Sequence, residues 1–137
     1  MNRQFAQKTS PGAALGRLSR LIDRIAQRDG NHATAIPALM LTRRSTPTDP
    51  LHCTYDLGLG VVAQGAKQVL LGSEVIDYAP GQSLLTTIDL PVVAHVTQAS
   101  GREPFLGLRL TLDTGHIMQV VAEMDLAARR TGGCIRG

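Results

Sequence analysis

Hydrophobic and polar positions near the start of the chain follow a helical period. Apolar residues recur at spacings of three and four, which places them on one face; they are Leu15, Leu18, Ile22 and Ile25. Basic residues occupy the opposite face; they are Arg17, Arg20, Arg24 and Arg28. An apolar stripe opposed by charges is typical of an amphipathic helix, so we predict a helix over residues 12–29 that ends at Gly30.

From about residue 35 the pattern changes to a period of two. Short segments rich in Val, Leu, Ile and Thr are separated by Gly, Pro, Asn or Asp; they read TAIPALMLTRRS, CTYDLGLGVVAQGAKQVLLG, SEVIDYAPGQSLLTT, PVVAHVTQAS and PFLGLRLTLD. Several short strands in succession predict an antiparallel sandwich or barrel over residues 35–112. The chain has two Phe, two Tyr and no Trp, so we expect an aliphatic core and no aromatic platform for single-stranded nucleic acid.

A helical period returns after the last strand. Asp113 or Thr114 can cap a helix over residues 115–128. Its apolar stripe consists of Ile117, Val120, Val121, Met124 and Ala128. Two uses of this stripe remain open. It forms a homodimer interface through Ile117, Val120, Val121 and Met124, or it closes the core of the barrel itself.

Length and composition predict a single domain. The chain has 137 residues, 43% of them hydrophobic, enough for one core. We assign residues 12–128 to this domain, 1–11 to a flexible N-terminus and 129–137 to a tail or truncated linker. No apolar run approaches the roughly 20 residues of a membrane span, and the N-terminus is too polar for a secretion signal. We therefore expect a cytoplasmic protein with no membrane contact.

The net charge of +3 is concentrated in the first helix and near the end of the chain. We interpret the arginine row of the first helix as a solvated face, with a contact to DNA or to an acidic partner as the alternative. Sequence readout needs side chains that reach base edges, and this helix offers few. We expect this chain alone to bind DNA weakly and without sequence preference, with an affinity that falls steeply as salt rises.

The two cysteines, Cys53 and Cys134, lie far apart in the sequence. They lack the close pairs of a zinc site and are too few to frame a disulfide scaffold. We interpret both as reduced thiols. A reactive sensor role for Cys53 is the alternative, and it requires a basic neighbour.

The order of three segments resembles the N-terminal domain of AraC-type bacterial transcription regulators. These segments are TAIPALMLTRRSTPTDP, VVAQGAKQVLLGSEVIDYAPGQSLLTTIDLPVVAHVTQAS and PFLGLRLTLD, and the resemblance extends over roughly residues 15–128. It implies a fold dominated by β-structure: a cupin-like antiparallel β-barrel of the double-stranded β-helix type with flanking N- and C-terminal α-helices. It also implies a C-terminal domain with two helix-turn-helix motifs. That domain is absent from this chain, so we expect DNA contact only through it.

Cupin enzymes hold a transition metal through two close histidines, a carboxylate and a third histidine from a later strand. The segment QVLLGSEVIDYAPGQSLL keeps the framework residues Gly72, Pro80 and Gly81 but contains no histidine. Its carboxylates, Glu74 and Asp77, lack imidazole partners. The four histidines are scattered; they are His32, His52, His95 and His116. We predict no metal site, no cofactor and no catalytic residues.

Polar residues within the apolar strands are the candidates for contact with a ligand. Arg109 faces away from Leu106, Leu108 and Leu110 on its strand. Four residues are selected in this way: Tyr55, Gln64, His95 and Arg109. We therefore expect a non-enzymatic module that senses a small-molecule effector, dimerises, or does both. The alternatives are a small metal-dependent cupin enzyme and a dimerisation module with a filled barrel.

Overall fold

The computed structural model describes residues 11–130. Two helices flank nine strands. The helices are α1 (Pro11–Ile25) and α2 (Thr114–Arg130). The strands are β1 (Gly30–Ala33), β2 (Leu39–Arg44), β3 (Leu51–Tyr55), β4 (Gly58–Gln64), β5 (Ala66–Leu71), β6 (Glu74–Tyr78), β7 (Ser83–Thr86), β8 (Leu90–Gln98) and β9 (Phe105–Thr111). The predicted flexible N-terminus and tail fall almost entirely outside the described residues.

The strands form two antiparallel sheets that face each other. One sheet has the order β1-β2-β9-β4-β7 and the other has the order β3-β8-β5-β6. Strands β2 to β9 thus cross from one sheet to the other at each connection except the β5–β6 hairpin, the pattern of an eight-stranded jelly roll and the architecture of cupins. The predicted fold class is confirmed: a cupin-like double-stranded β-helix with a helix at each end.

A core of apolar side chains fills part of the space between the sheets. Its buried members come from five strands; they are Val62, Val69, Tyr78, Val92, Ala94, Val96 and Phe105. Most are aliphatic, in agreement with the low aromatic content of the chain. Alternate residues of each strand face this layer, so the pleat determines which side chains reach the interior.

Helix α1 covers the outer face of the five-stranded sheet. Its Ile22 and the adjoining Ala26 pack against Leu41, Ala63 and Leu106 in a second buried cluster. Leu106 and Leu108 thus face α1, so the next residue, Arg109, is directed to the opposite side of the sheet, the interior. The four arginines of the predicted polar face are exposed.

Helix α1 ends at Ile25, four residues before the predicted end. Two hydrogen bonds stabilise the end of the helix: Gln27 Nε2 donates to the Arg24 carbonyl, and Ala26 N donates to the Ile22 carbonyl. Residues 30–33 then form β1, which pairs with β2. Its sequence GNHA lacks an apolar alternation, so only the long-range pairing with β2 identifies it as a strand.

Helix α2 extends away from the sheets. Its predicted cap is confirmed: the Asp113 carboxylate accepts a hydrogen bond from His116 N at 3.0 Å. Three members of the apolar stripe are exposed, with 51% of Val120, 54% of Val121 and 64% of Met124 accessible to solvent. The alternative in which this stripe closes the core of the barrel is therefore wrong. Neither described helix is long and apolar enough to cross a membrane.

The hairpin between β4 and β5 depends on Gly65. Its φ is +85°, and an added Cβ would lie 2.5 Å from the Gln98 carbonyl oxygen. We expect Gly65→Ala to lower the free energy of unfolding by about 3 kcal/mol, because a strained dihedral and a steric clash act together. Gly72 is the matched control, since its φ is +62° but the space beside it is open. Gly72→Ala should cost about 1 kcal/mol in urea unfolding, and equal losses would contradict this account.

Candidate ligand cavity

A cavity of about 480 Å³ lies between the two sheets. Much of its wall is apolar, with contributions from Val62, Leu84, Ala94, Val96 and Phe105. The volume falls within the range of natural ligand pockets, which combine apolar walls with a few convergent polar groups. Four of the polar residues that line this cavity come from β3, β5, β6 and β9, one from each strand.

Two tyrosines place their hydroxyl groups in the cavity wall. The Tyr55 hydroxyl is buried and has no hydrogen-bond partner among the side chains that the structure describes. Burial raises its pKa well above the usual range, and the nearby Tyr78 adds to the rise. Burial likewise raises the pKa of Tyr78 to about 12. Both phenols are therefore neutral at physiological pH and available as donors.

Lys67 lies opposite Tyr78 on the neighbouring strand and lines the same cavity. Its Nζ lies 5.6 Å from the centroid of the Tyr55 ring, a cation–π distance. No carboxylate between residues 12 and 127 lies within ion-pair distance of this ammonium group. Burial lowers the pKa of Lys67, because removal from water penalises its charged form.

Arg109 enters the cavity from β9 and is held by Asp56. Its Nη2 donates to the Asp56 carboxylate at 2.8 Å and to the Asp56 carbonyl at 2.5 Å. The Arg109 hydrogen bond holds the pKa of Asp56 below its usual range. Gly58 leaves room for the guanidinium group, since a Cβ there would lie 2.8 Å from Arg109 Nη2. The Arg109 Cζ atom lies 5.1 Å from the Tyr55 ring centroid, so two cations flank one aromatic ring.

The structure brings together two of the four predicted ligand residues, Tyr55 and Arg109. His95 contributes to the cavity lining, but its ring Nε2 lies 3.0 Å from Gln68 Oε1. Its neighbours Val92, Ala94 and Val96 face the core, so alternation directs the His95 ring to the outer face of the sheet.

Gln64 lies apart from the other predicted ligand residues. Its Nε2 donates to the Pro104 carbonyl at 2.8 Å, and the residue lines a separate surface depression. The chain reaches this position just after a bulge between Val62 and Gln64, which shifts the register with β9. A prediction from the period-two pattern assumes that each strand keeps one register, so it does not anticipate a bulge.

Two cavity residues, Lys67 and Tyr78, were missed by the sequence analysis. A signal for Lys67 existed, because it shares a face with the buried Val69 on β5. Likewise, Tyr78 and Ile76 alternate with the exposed Asp77 on β6. A ligand pocket needs polar groups at inward positions of adjacent strands. A comparison of the inward positions of β5 and β6 would have identified Lys67 and Tyr78.

Cys53, the predicted alternative sensor, is a free thiol on the cavity wall. It does have a basic neighbour, since it lies near enough to Lys67 to affect the pKa of that residue. The carboxylates considered as metal ligands lie elsewhere: Glu74 and Asp77 are exposed on β6. Within residues 11–130 no group of three or more His, Cys, Asp or Glu side chains is arranged to hold a metal ion.

The two tyrosines predict a loss of stability at alkaline pH. Their pKa values are raised in the folded state, so the stability that they contribute is complete below about pH 10 and is lost as pH rises through about 12. Lys67 has the opposite effect. Its pKa is lowered in the folded state, so the stability that its charged form costs is regained as pH rises towards 10.5. We therefore expect the free energy of unfolding to decrease above about pH 10.5.

Tyrosinate absorbance provides the measurement, because Tyr55 and Tyr78 are the only tyrosines in the chain. Both should titrate near pH 10 in denaturant and only at about pH 12 or above in the folded protein. Tyr78→Phe should remove one transition and reduce the alkaline loss of stability. Titration of both residues at the same pH in both states would contradict their burial in the cavity.

Comparison with known proteins places the chain in a family. Structures with related folds include a cupin-2 domain protein from Shewanella frigidimarina, with 8% identity, a TM-score of 0.46 and coverage of 66% of this chain and 90% of that chain. A cupin superfamily protein from Desulfitobacterium hafniense has 20% identity, a TM-score of 0.47 and coverage of 69% and 86%. No curated protein matches the sequence. Residues 35–136 match the family described as the AraC-type transcriptional regulator N-terminus. The chain therefore belongs to the family of N-terminal domains of AraC-type transcriptional regulators.

Proposed function

We propose that this domain senses a small molecule in the cavity between its sheets and thereby controls a DNA-binding domain of the regulator to which it belongs. The observation that supports the proposal is the cavity itself. It combines an apolar wall with a buried Tyr55 hydroxyl that has no hydrogen-bond partner within the described residues, and with a half-buried Lys67 ammonium group that forms no ion pair with them. Buried polar groups without partners are costly, and a ligand that satisfies them relieves this cost.

A homodimer built on α2 is part of the same proposal. The exposed stripe of α2 gives a second copy of this chain one self-complementary surface, which is all that a symmetric dimer requires. Because α2 is the last described element, its pairing would hold two sensing domains at the point from which the chain continues. The regulator would act on DNA, so we place it in the cytoplasm.

Thermal unfolding with a panel of small aldehydes, sugars and aromatic acids tests the sensing function. We expect at least one class to stabilise the protein, by about 2.7 kcal/mol at a hundredfold excess over Kd. Ala94→Leu should abolish this stabilisation, because Ala94 is buried on the cavity wall and the larger side chain fills the space. Val93→Leu is the matched control, since the adjacent residue alternates to the outer face of β8.

The two rival functions give different results in the same experiments. If no member of the panel stabilises the protein, the chain is a dimerisation module whose cavity binds nothing. A metal-dependent cupin enzyme would instead yield about one equivalent of transition metal per chain in elemental analysis, lost on His95→Ala. We propose that the domain is not an enzyme, and recovery of such a metal would contradict this.

A further inference from the structure

The strongest unexplained feature of the cavity is the charge of Lys67. Its ammonium group has three donors, yet no hydrogen bond or ion pair to it is formed by the side chains of residues 12–127. Its one described polar contact is with the face of the Tyr55 ring. A half-buried cation whose one described contact is of the cation–π type is poorly compensated, and an added anion would improve its environment.

The other charged groups of the cavity already have partners or lie outside ion-pair range. Arg109 is paired with Asp56. Arg44 donates to its neighbour's carbonyl at 2.8 Å and to Asn31 at 3.4 Å. Asp49 also lines the cavity, but it forms no ion pair with the described cations. Among the cavity's cations, Lys67 is therefore the one whose charged group has neither a hydrogen bond nor an ion pair within residues 12–127.

We propose that the cavity binds a small organic monocarboxylate whose carboxylate pairs with Lys67 and accepts a hydrogen bond from the Tyr55 hydroxyl. The inference rests on the proposed sensing function and names the class of its effector. A single carboxylate fits because Lys67 is the one cavity cation that has no hydrogen bond or ion pair within residues 12–127. Tyr55 is suited to the second contact because its buried hydroxyl is a donor without an acceptor.

The apolar residues of the cavity favour a ligand whose remaining atoms are apolar. Val62 and Phe105 belong to the buried core, and with Leu84 and Ala94 they contribute apolar side chains to the cavity wall. An inorganic anion would leave this wall without contact. A carboxylate attached to a hydrocarbon chain or ring satisfies both parts of the cavity.

Matched pairs of charged and neutral probes test the proposal. The pairs are benzoate and benzamide, cyclohexanecarboxylate and its amide, and hexanoate and hexanamide, which differ little in size but differ in charge. Binding is measured by thermal unfolding and by tyrosine fluorescence, which reports on the cavity because the chain has no Trp and both tyrosines line it. We expect at least one carboxylate to bind at least about tenfold more tightly than its amide, as for a hydrogen bond to a charged group.

Two variants identify the groups that recognise the carboxylate. Lys67→Met keeps an unbranched side chain one atom shorter and removes its charge, and it should weaken carboxylate binding by about a hundredfold while leaving amide binding unchanged. It should also raise the unfolding temperature of the ligand-free protein, because an uncompensated buried charge is removed. Tyr55→Phe should weaken carboxylate binding by about tenfold. Arg102→Met is the control, since it removes one positive charge from an exposed position outside the cavity.

A direct signal is available because the chain contains two lysines, Lys8 and Lys67. In protein with carbon-13 at the lysine ε position, Lys67→Met assigns the two resonances. Benzoate should shift the Lys67 resonance and leave that of Lys8 unchanged, whereas benzamide should shift neither. Equal shifts of both resonances would indicate a general effect of the salt and would contradict the proposal.

The outcomes separate this inference from the proposed function. If neutral probes bind as tightly as carboxylates, or if Lys67→Met binds carboxylates like the unmodified protein, the assignment of a monocarboxylate is wrong. Stabilisation by uncharged sugars or aldehydes that is lost in Ala94→Leu would then still support a sensing cavity. If no charged or neutral probe binds, both the inference and the proposed function are wrong.

Discussion

Ile22→Ala is expected to lower the free energy of unfolding by about 3 kcal/mol, among the largest effects of any single substitution in α1. Ile22 is 1% exposed and packs with Ala26 against the outer face of the five-stranded sheet. Truncation removes buried apolar atoms and leaves a cavity between α1 and the sheet, which the rigid strands cannot fill. Urea unfolding followed by circular dichroism provides the measurement.

Ile25→Ala is the matched control for this substitution. The residue type and the helix are the same, but Ile25 is 55% exposed. Its loss should change stability by no more than about 0.5 kcal/mol. Similar losses at Ile22 and Ile25 would show that α1 does not dock on the sheet through the face that the structure gives it.

Val120→Glu is expected to convert a homodimer into a monomer. Val120 lies within the exposed stripe of α2, and in a symmetric interface one substitution places two carboxylates in the apolar contact. Burial of unpaired charges should cost at least about 3 kcal/mol, or roughly a hundredfold in Kd. Light scattering at micromolar protein concentration measures the change.

Leu126→Glu is the control that distinguishes disruption of the interface from a general effect of added charge. Leu126 is also exposed, but helical geometry places it opposite the centre of the stripe formed by Ile117, Val121 and Met124. We expect this variant to remain a dimer. A monomeric unmodified protein, or equal dissociation of both variants, would contradict dimerisation through the stripe.

The sequence by itself determined the succession of elements. The period of three to four residues located both helices, and the period of two located the barrel between them, because these periods follow from backbone geometry alone. The same local rule placed Leu106 and Leu108 on one face of β9 and Arg109 on the other, and the structure has this arrangement. Asp113 was also identified from its position before an apolar stripe, since capping requires only neighbouring residues.

Only the tertiary structure decided what covers each face and which polar groups meet. Lys67 and Tyr78 become part of one cavity because β5 and β6 pair and face β9 across the interior, a contact between residues far apart in the chain. Gln64 leaves that cavity because of a bulge, and the stripe of α2 remains exposed because the sheets already bury their own apolar faces. Periodicity reports that a face is apolar. Which surface packs against that face depends on long-range strand pairing, which no local pattern contains. The same holds for the lack of an ion-pair partner for Lys67 within residues 12–127.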